Sequence, residues 1–216
     1  MNCLALLLFF LVSCNSPNKD KPSEGLIVYR ITPINKGHWL ASLAPKEMHL
    51  YFKDERYVAT MSAMGGIFTS KVMEDSSKKF MIQAVKVWRD KMYTSQSLSL
   101  LTDELGLNFE PVKTNDKKEI VGMTCSRYLF RKGSTSDTFS VWSTENLELK
   151  SPSFFPNHHS FNGFPLDFTM RKFGLDCRFV AKKITFGNVS DKLFEVPSDY
   201  HKITLDSLNA YFQRLK

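Results

Sequence analysis

The chain has 216 residues, 43% of them hydrophobic and 18 of them Phe, enough apolar mass for one large β domain with a substantial core. Lys and Arg outnumber Asp and Glu by 29 to 22, a formal charge of +7. The basic pairs Lys78-Lys79, Lys117-Lys118, Arg131-Lys132, Arg171-Lys172 and Lys182-Lys183 are scattered, and no block of five like charges occurs. The charge therefore reads as solvated strand ends and loops or as attraction to anionic lipid headgroups. With no nucleic-acid motif, a nucleic-acid partner is not expected.

The chain opens on an apolar run, Leu4 to Val12. It is too short to cross a bilayer, which takes about 20 apolar residues, but it has the length of a signal-peptide core. Leu11-Val12-Ser13-Cys14 resembles the lipobox of bacterial lipoprotein signal peptides, although no Lys or Arg precedes the apolar run. The resemblance implies that residues 1–13 are removed and that Cys14 is acylated (the palmitate-type anchor), each buried methylene contributing about 0.8 kcal/mol. Asn15 to Glu24 holds no large apolar residue, so residues 14–24 read as a flexible tether. Residues 25–216 form the domain.

Its periodicity is mostly that of strands. Leu26 to Ile31 is rich in β-formers. Met48, Leu50 and Phe52 alternate with polar neighbours, and Tyr57, Ala59 and Met61 follow the turn-like Asp54-Glu55. Gly65-Gly66 reads as a turn before Ile67 to Met73; Ser76-Ser77 separates that strand from Phe80 to Trp88, and Asp90 starts another at Met92-Tyr93. Short strands at about ten-residue spacing indicate a meandering antiparallel sheet. Ser97 to Leu107 breaks the rhythm as a short helix or loop. Strands resume at Glu119 to Val121, at Met123 to Arg131 and, after the turn-like Gly133 to Asp137, at Phe139 to Trp142. Ser151 to Asn162 is irregular.

Phe164, Leu166, Phe168 and Met170 alternate strictly with Pro165, Asp167, Thr169 and Arg171, the cleanest half-buried strand in the chain. Leu175 to Phe186 is long, and its apolar phase slips near Val180, as a bulge would produce. Leu205, Leu208, Phe212 and Leu215 lie at helical spacing behind Thr204, a plausible N-cap.

Several strands are apolar on both faces, with Met123, Cys125 and Leu129 on one side and Tyr128 and Phe130 on the other. Either elements cover both faces or one face lines an apolar cavity. Candidate cavity-lining residues are Trp88, Tyr128, Phe130, Trp142, Phe164, Leu166, Phe168 and Met170; Trp39 also reads as core or lining. Cys125 and Cys177 are a candidate disulfide, since an extracytoplasmic location permits one, and two buried free thiols are the alternative.

Catalytic chemistry is hard to place. The adjacent His158-His159 would point to opposite faces of a strand, and His38, His49 and His201 lack companions at i+2 or i+4, so no metal is expected. There is no G-x-S-x-G, P-loop or dinucleotide fingerprint. Asp167 and Asp176 read as outward, solvated carboxylates.

Glu119-Ile-Val-Gly-Met-Thr-Cys-Ser-Arg-Tyr128, Val141-Trp-Ser-Thr-Glu-Asn-Leu147, Gly163-Phe-Pro-Leu166 and Leu193-Phe-Glu-Val-Pro-Ser-Asp-Tyr200 together resemble a bacterial lipoprotein family of unknown function (family 4412 among such domains). That family is similar to the LolA/LolB lipoprotein carriers. The resemblance implies an incomplete antiparallel β-barrel of about 10–11 strands with one or two covering helices. The motif positions read as structural: a tight turn at Gly122, a packed Trp142 and a strand end at Pro197.

The expectation is a monomeric, non-enzymatic lipoprotein without cofactor or metal, held at the bacterial envelope by its lipid. The outer membrane is the favoured site, on its periplasmic or surface face. The partner would be a lipid, a lipoprotein acyl chain or another apolar ligand. The alternative is an envelope scaffold or protein-interaction module with a solid core; a hydrolase of envelope material comes third and has no residues to name.

Overall fold

The computed structural model describes residues 23–98, 111–131, 138–147, 149–155, 160–172 and 174–214. The expected signal peptide, Cys14 and the expected tether as far as Pro22 lie outside these residues. So do 99–107 of the expected helix or loop, 133–137 of an expected turn, His158, His159 and Leu215.

Twelve strands build one sheet: β1 (Glu24–Pro33), β2 (Glu47–Lys53), β3 (Arg56–Ala63), β4 (Phe68–Asp75), β5 (Phe80–Val87), β6 (Asp90–Ser97), β7 (Val112–Ile120), β8 (Met123–Arg131), β9 (Thr138–Thr144), β10 (Phe164–Lys172), β11 (Leu175–Phe186) and β12 (His201–Lys202). Among the described residues there is one α-helix, α1 (Leu205–Arg214). The order across the sheet is β12-β6-β5-β4-β3-β2-β1-β11-β10-β9-β8-β7. Two antiparallel meanders, β1–β6 and β7–β11, are thus joined along β1 and β11, and the two-residue β12 runs parallel to β6.

The mainly β fold, its meanders and its unclosed sheet match the sequence reading, with twelve strands where about 10–11 are expected. The sheet stays open, with β7 and β12 at its edges. β7 carries Lys113, Asp116, Lys117, Lys118 and Glu119, and charged side chains on an edge discourage further pairing. That polarity also hid most of β7 from a hydrophobic pattern. The phase slip in β11 is a bulge: Val28 pairs with Lys183 and Tyr29 with Ala181, leaving Lys182 unpaired. Lys182 and Lys183 are consequently both exposed. Thr204 caps α1, its Oγ1 accepting from the Ser207 N–H at 3.1 Å.

One face of the sheet carries most of the core. Tyr29, Leu50, Phe52, Tyr57, Phe130, Phe164, Leu166, Phe168 and Phe179 are almost fully buried there. Phe168 and Phe179 stack at 5.2 Å. From the stretch between β9 and β10, Phe155 enters this layer, 4.8 Å from Phe168 and 6.0 Å from Phe164. Each such burial contributes about 1.5–3 kcal/mol. The covering segment is fastened by polar contacts. Tyr57 Oη donates to the Lys150 carbonyl at 2.7 Å, and the Ser153 N–H and Oγ donate to the Glu74 carboxylate at 2.8 and 3.1 Å.

The opposite face is covered too. Val58, Met73 and Ala84 lie under Phe194, Val196 and Tyr200 of the segment before β12. Arg56 holds that segment by an ion pair with Asp191 at 2.8 Å and by lying 4.5 Å above the Phe194 ring. For β3–β5, therefore, elements cover both faces, whereas Cys125, Tyr128 and Phe130 of β8 all join the main core. At the far end of β4–β6 on the core side, Leu208 of α1 packs on Val85 and Met92.

Candidate functional site

Hairpin geometry sorts the turns to two ends of the sheet. At one end, where β1 begins, the turns are polar: Asp54-Glu55 between β2 and β3, and Ser76 to Lys79 between β4 and β5. At the other end lie the residue 34–46 connection between β1 and β2, the Met64–Ile67 tip between β3 and β4, and the Trp88-Arg89 turn between β5 and β6. Here the sequence reverses its usual polarity. Ile34, Trp39, Leu43, Met64, Ile67 and Trp88 are all exposed, the two tryptophans at 64% each.

Backbone contacts tie these tips together. The Trp88 N–H donates to the Ile67 carbonyl at 2.8 Å, joining the third tip to the second. The first meets the second across an open groove of about 800 Å³, lined by Leu43, Ala44, Met61, Ala63, Met64 and Gly65 beside polar groups of β2–β4. In this groove Glu47 pairs with Lys182 and, at 3.3 Å, with His49. The hydrogen bond from Lys182, then that from His49, holds the Glu47 carboxyl below its ordinary range. The Gly65-Gly66 turn is as expected, both residues at positive φ (64° and 88°). His38 caps a short 3₁₀ turn, its Nδ1 accepting from the Leu40 N–H at 3.2 Å.

The expected cavity residues do not form a cavity. Tyr128, Phe130, Phe164, Leu166, Phe168 and Met170 are buried against one another and their neighbours in the core and do not line the groove. The physical reason is Phe155 and Phe161, which fill the room over them. Trp88 is a solvent-facing tip residue, and Trp39 likewise is not core. Trp142 sits among charges, with Lys118 Nζ 4.1 Å above its ring and Arg127 at 5.8 Å. Cys125 and Cys177 are both free and buried, so the candidate disulfide is not formed. Burial pushes the Cys125 thiol up to about 11 and raises that of Cys177.

Asp167 also departs from expectation. It points away from the Phe164–Met170 face, as the alternation predicts, but it is only 3% exposed and is gripped by Arg178 and Lys118. With its lone pairs taken by cations it is a structural brace. Among the described residues no three His, Cys, Asp or Glu side chains converge as a metal site. No helix among them is long and apolar enough to cross a membrane.

No protein-family model and no curated protein matches the chain, so the motif resemblance at Gly122, Trp142 and Pro197 stays one of local sequence. Solved structures do share the fold. PNGF-II in space group P21 superposes with a TM-score of 0.59 at 13% identity, over 89% of this chain and 34% of that chain. PNGF-II in space group C2 gives 0.57 at 13% identity, over 88% and 33%. The chain thus spans about a third of PNGF-II, and the likeness is one of fold.

Proposed function

We propose that this chain is a lipid-anchored bacterial envelope protein that acts by binding, without catalysis, and that it binds on its outside. The reading takes up the solid-core interaction module. The observation that carries it is the filled interior: aromatic rings occupy the space a buried ligand would need, while apolar side chains are displayed at one end of the sheet. The lipobox at Cys14 supports the location, with the outer membrane favoured.

Two measurements on the full chain test this. Intact mass of the native product should show residues 1–13 gone and acyl chains on Cys14, and Cys14→Ser should shift the chain out of the lipidated pool; an uncut N-terminus overturns the location. A fluorescent fatty acid should find no saturable site; one-to-one uptake overturns the interaction-module reading. That outcome would favour the second reading, an apolar-ligand binder, for which the groove between Leu43 and Met64 is of ligand-site volume.

A further inference from the structure

We propose that the hairpin tips form a membrane-contact rim, which inserts Trp39, Leu43, Met64, Ile67 and Trp88 into the interface of a bilayer carrying anionic phospholipid. The assignment deepens the reading of this end as the binding surface and rests on it.

The first ground is segregation. Eight large hydrophobic residues are exposed among the described residues: Ile34, Trp39, Leu43, Met64, Ile67, Trp88, Val112 and Phe186. Six lie on the three tips. Val112 opens the edge strand β7, away from these tips. Phe186 alone lies at the opposite end, beside Gly25. Single exposed apolar residues are normal; six on the three tips at one end of a meander whose opposite turns, Asp54-Glu55 and Ser76 to Lys79, are polar are not.

The second ground is conformational. Met64 (φ 51°) and Trp88 (φ 57°) occupy the left-handed region at hairpin tips, where Gly, Asn or Asp fits without strain. Neither side chain is buried in return, so nothing in the core explains their presence there.

The third ground is charge. Lys36, Lys46 and Arg89 are exposed at this end and make no ion pair among the described residues. Of the nearby acids, Glu47 is engaged by Lys182 and His49 and Asp90 by Tyr211 Oη at 2.8 Å, which leaves exposed Asp176, beside Ile34, as one acid against three bases. A surface of Trp, aliphatic tips and unpaired bases complements acyl chains below and phosphates above. A rigid partner would need a matching socket for each tip, whereas lipid flows around them. Reach permits it: residues 14–23 extend about 33–36 Å, and the ten residues of β1 separate the two ends by about 33 Å. One leaflet can therefore hold both the anchor and the rim.

The test uses the full chain and vesicles with brominated acyl chains, in phosphatidylcholine with and without phosphatidylglycerol. In W142F, which keeps Trp39 and Trp88, emission should shift to the blue and lose at least half its intensity. In W39F/W88F, which keeps Trp142, it should be unchanged. Neutralising Lys36, Lys46 or Arg89 should weaken the rim's attachment about fivefold each, the equivalent of about 1 kcal/mol per basic residue near an anionic surface. Vesicle-bound chain with unquenched Trp39 and Trp88 overturns the rim while leaving the Cys14 anchor standing. Equal quenching of all three tryptophans overturns it too. A blue shift without lipid that grows with protein concentration assigns the rim to a second copy and overturns the membrane. Quenching in a chain that proves unlipidated preserves the rim and overturns only the anchor.

Discussion

Arg178 holds Asp167 with both arms of its guanidinium, Nε donating to Oδ1 at 2.9 Å and Nη2 to Oδ2 at 2.7 Å. Lys118 Nζ reaches the same Oδ2 at 2.5 Å while lying over Trp142. One carboxylate on β10 thereby ties β11 on one side to β7 on the other, bracing the second meander across its outer face. Asp167→Asn keeps the shape and removes the charge. The buried-pair cost, discounted because Arg178 and Lys118 are partly solvated, is about 2 kcal/mol. Urea melts at pH 7 should show that loss, with an altered Trp142 emission.

The same brace sets an acid limit. Burial pushes the Asp167 carboxyl up, but hydrogen bonds from Arg178 and then Lys118 outweigh it, and the folded group titrates below its ordinary 3.8. A depressed carboxyl contributes stability that is present above pH 3.8 and lost as pH falls through the folded value. Melting temperature should drop below about pH 4 in the native chain and drop less in Asp167→Asn.

Glu74 should act in the opposite sense and in a different window. Burial raises its carboxyl above the ordinary 4.5, against the hydrogen bonds from Ser76 and Ser153. The folded state then binds the proton more readily, so this group's contribution to stability falls as pH rises from 4.5 through the folded value. Glu74→Gln should flatten that part of the pH–stability curve. An unchanged curve would deny Glu74 this role.

The thiols of Cys125 and Cys177 should be silent in the native state. With Cys125 titrating at about 11, only about one molecule in a thousand is thiolate at pH 8. Iodoacetamide followed by mass measurement should leave both unmodified until denaturant is added, then label both. A native mass lower by two hydrogen atoms would indicate a bridge instead.

Gly163 tests the entry into β10. Its φ is +86°, and an added Cβ would stand 2.5 Å from the Thr144 carbonyl oxygen. Gly163→Ala combines a left-handed strain with a backbone clash and should cost about 2–4 kcal/mol. Gly65→Ala, also at positive φ but with no atom within 4 Å of an added Cβ, should cost about 1 kcal/mol in the same thermal scan.

What could be read from the sequence was what local chemistry dictates. Period-two alternation marked β10 and the hairpins of β2–β4, because side chains of a half-buried strand must alternate whatever lies beyond them. The slip in β11 announced the Lys182 bulge, and Thr204 announced α1, for equally local reasons. The tertiary structure decided whatever depends on partners distant along the chain. Hydrophobicity placed Trp39 and Trp88 inside, yet exposure depends on whether another segment arrives to cover a ring, and none among the described residues covers these. Polarity placed Asp167 in solvent, yet Lys118 arrives from 49 residues away to bury it. The rim itself is a product of register: Ile34, Met64 and Trp88 share one end only because the pairings of β1 through β6 bring their turns into line.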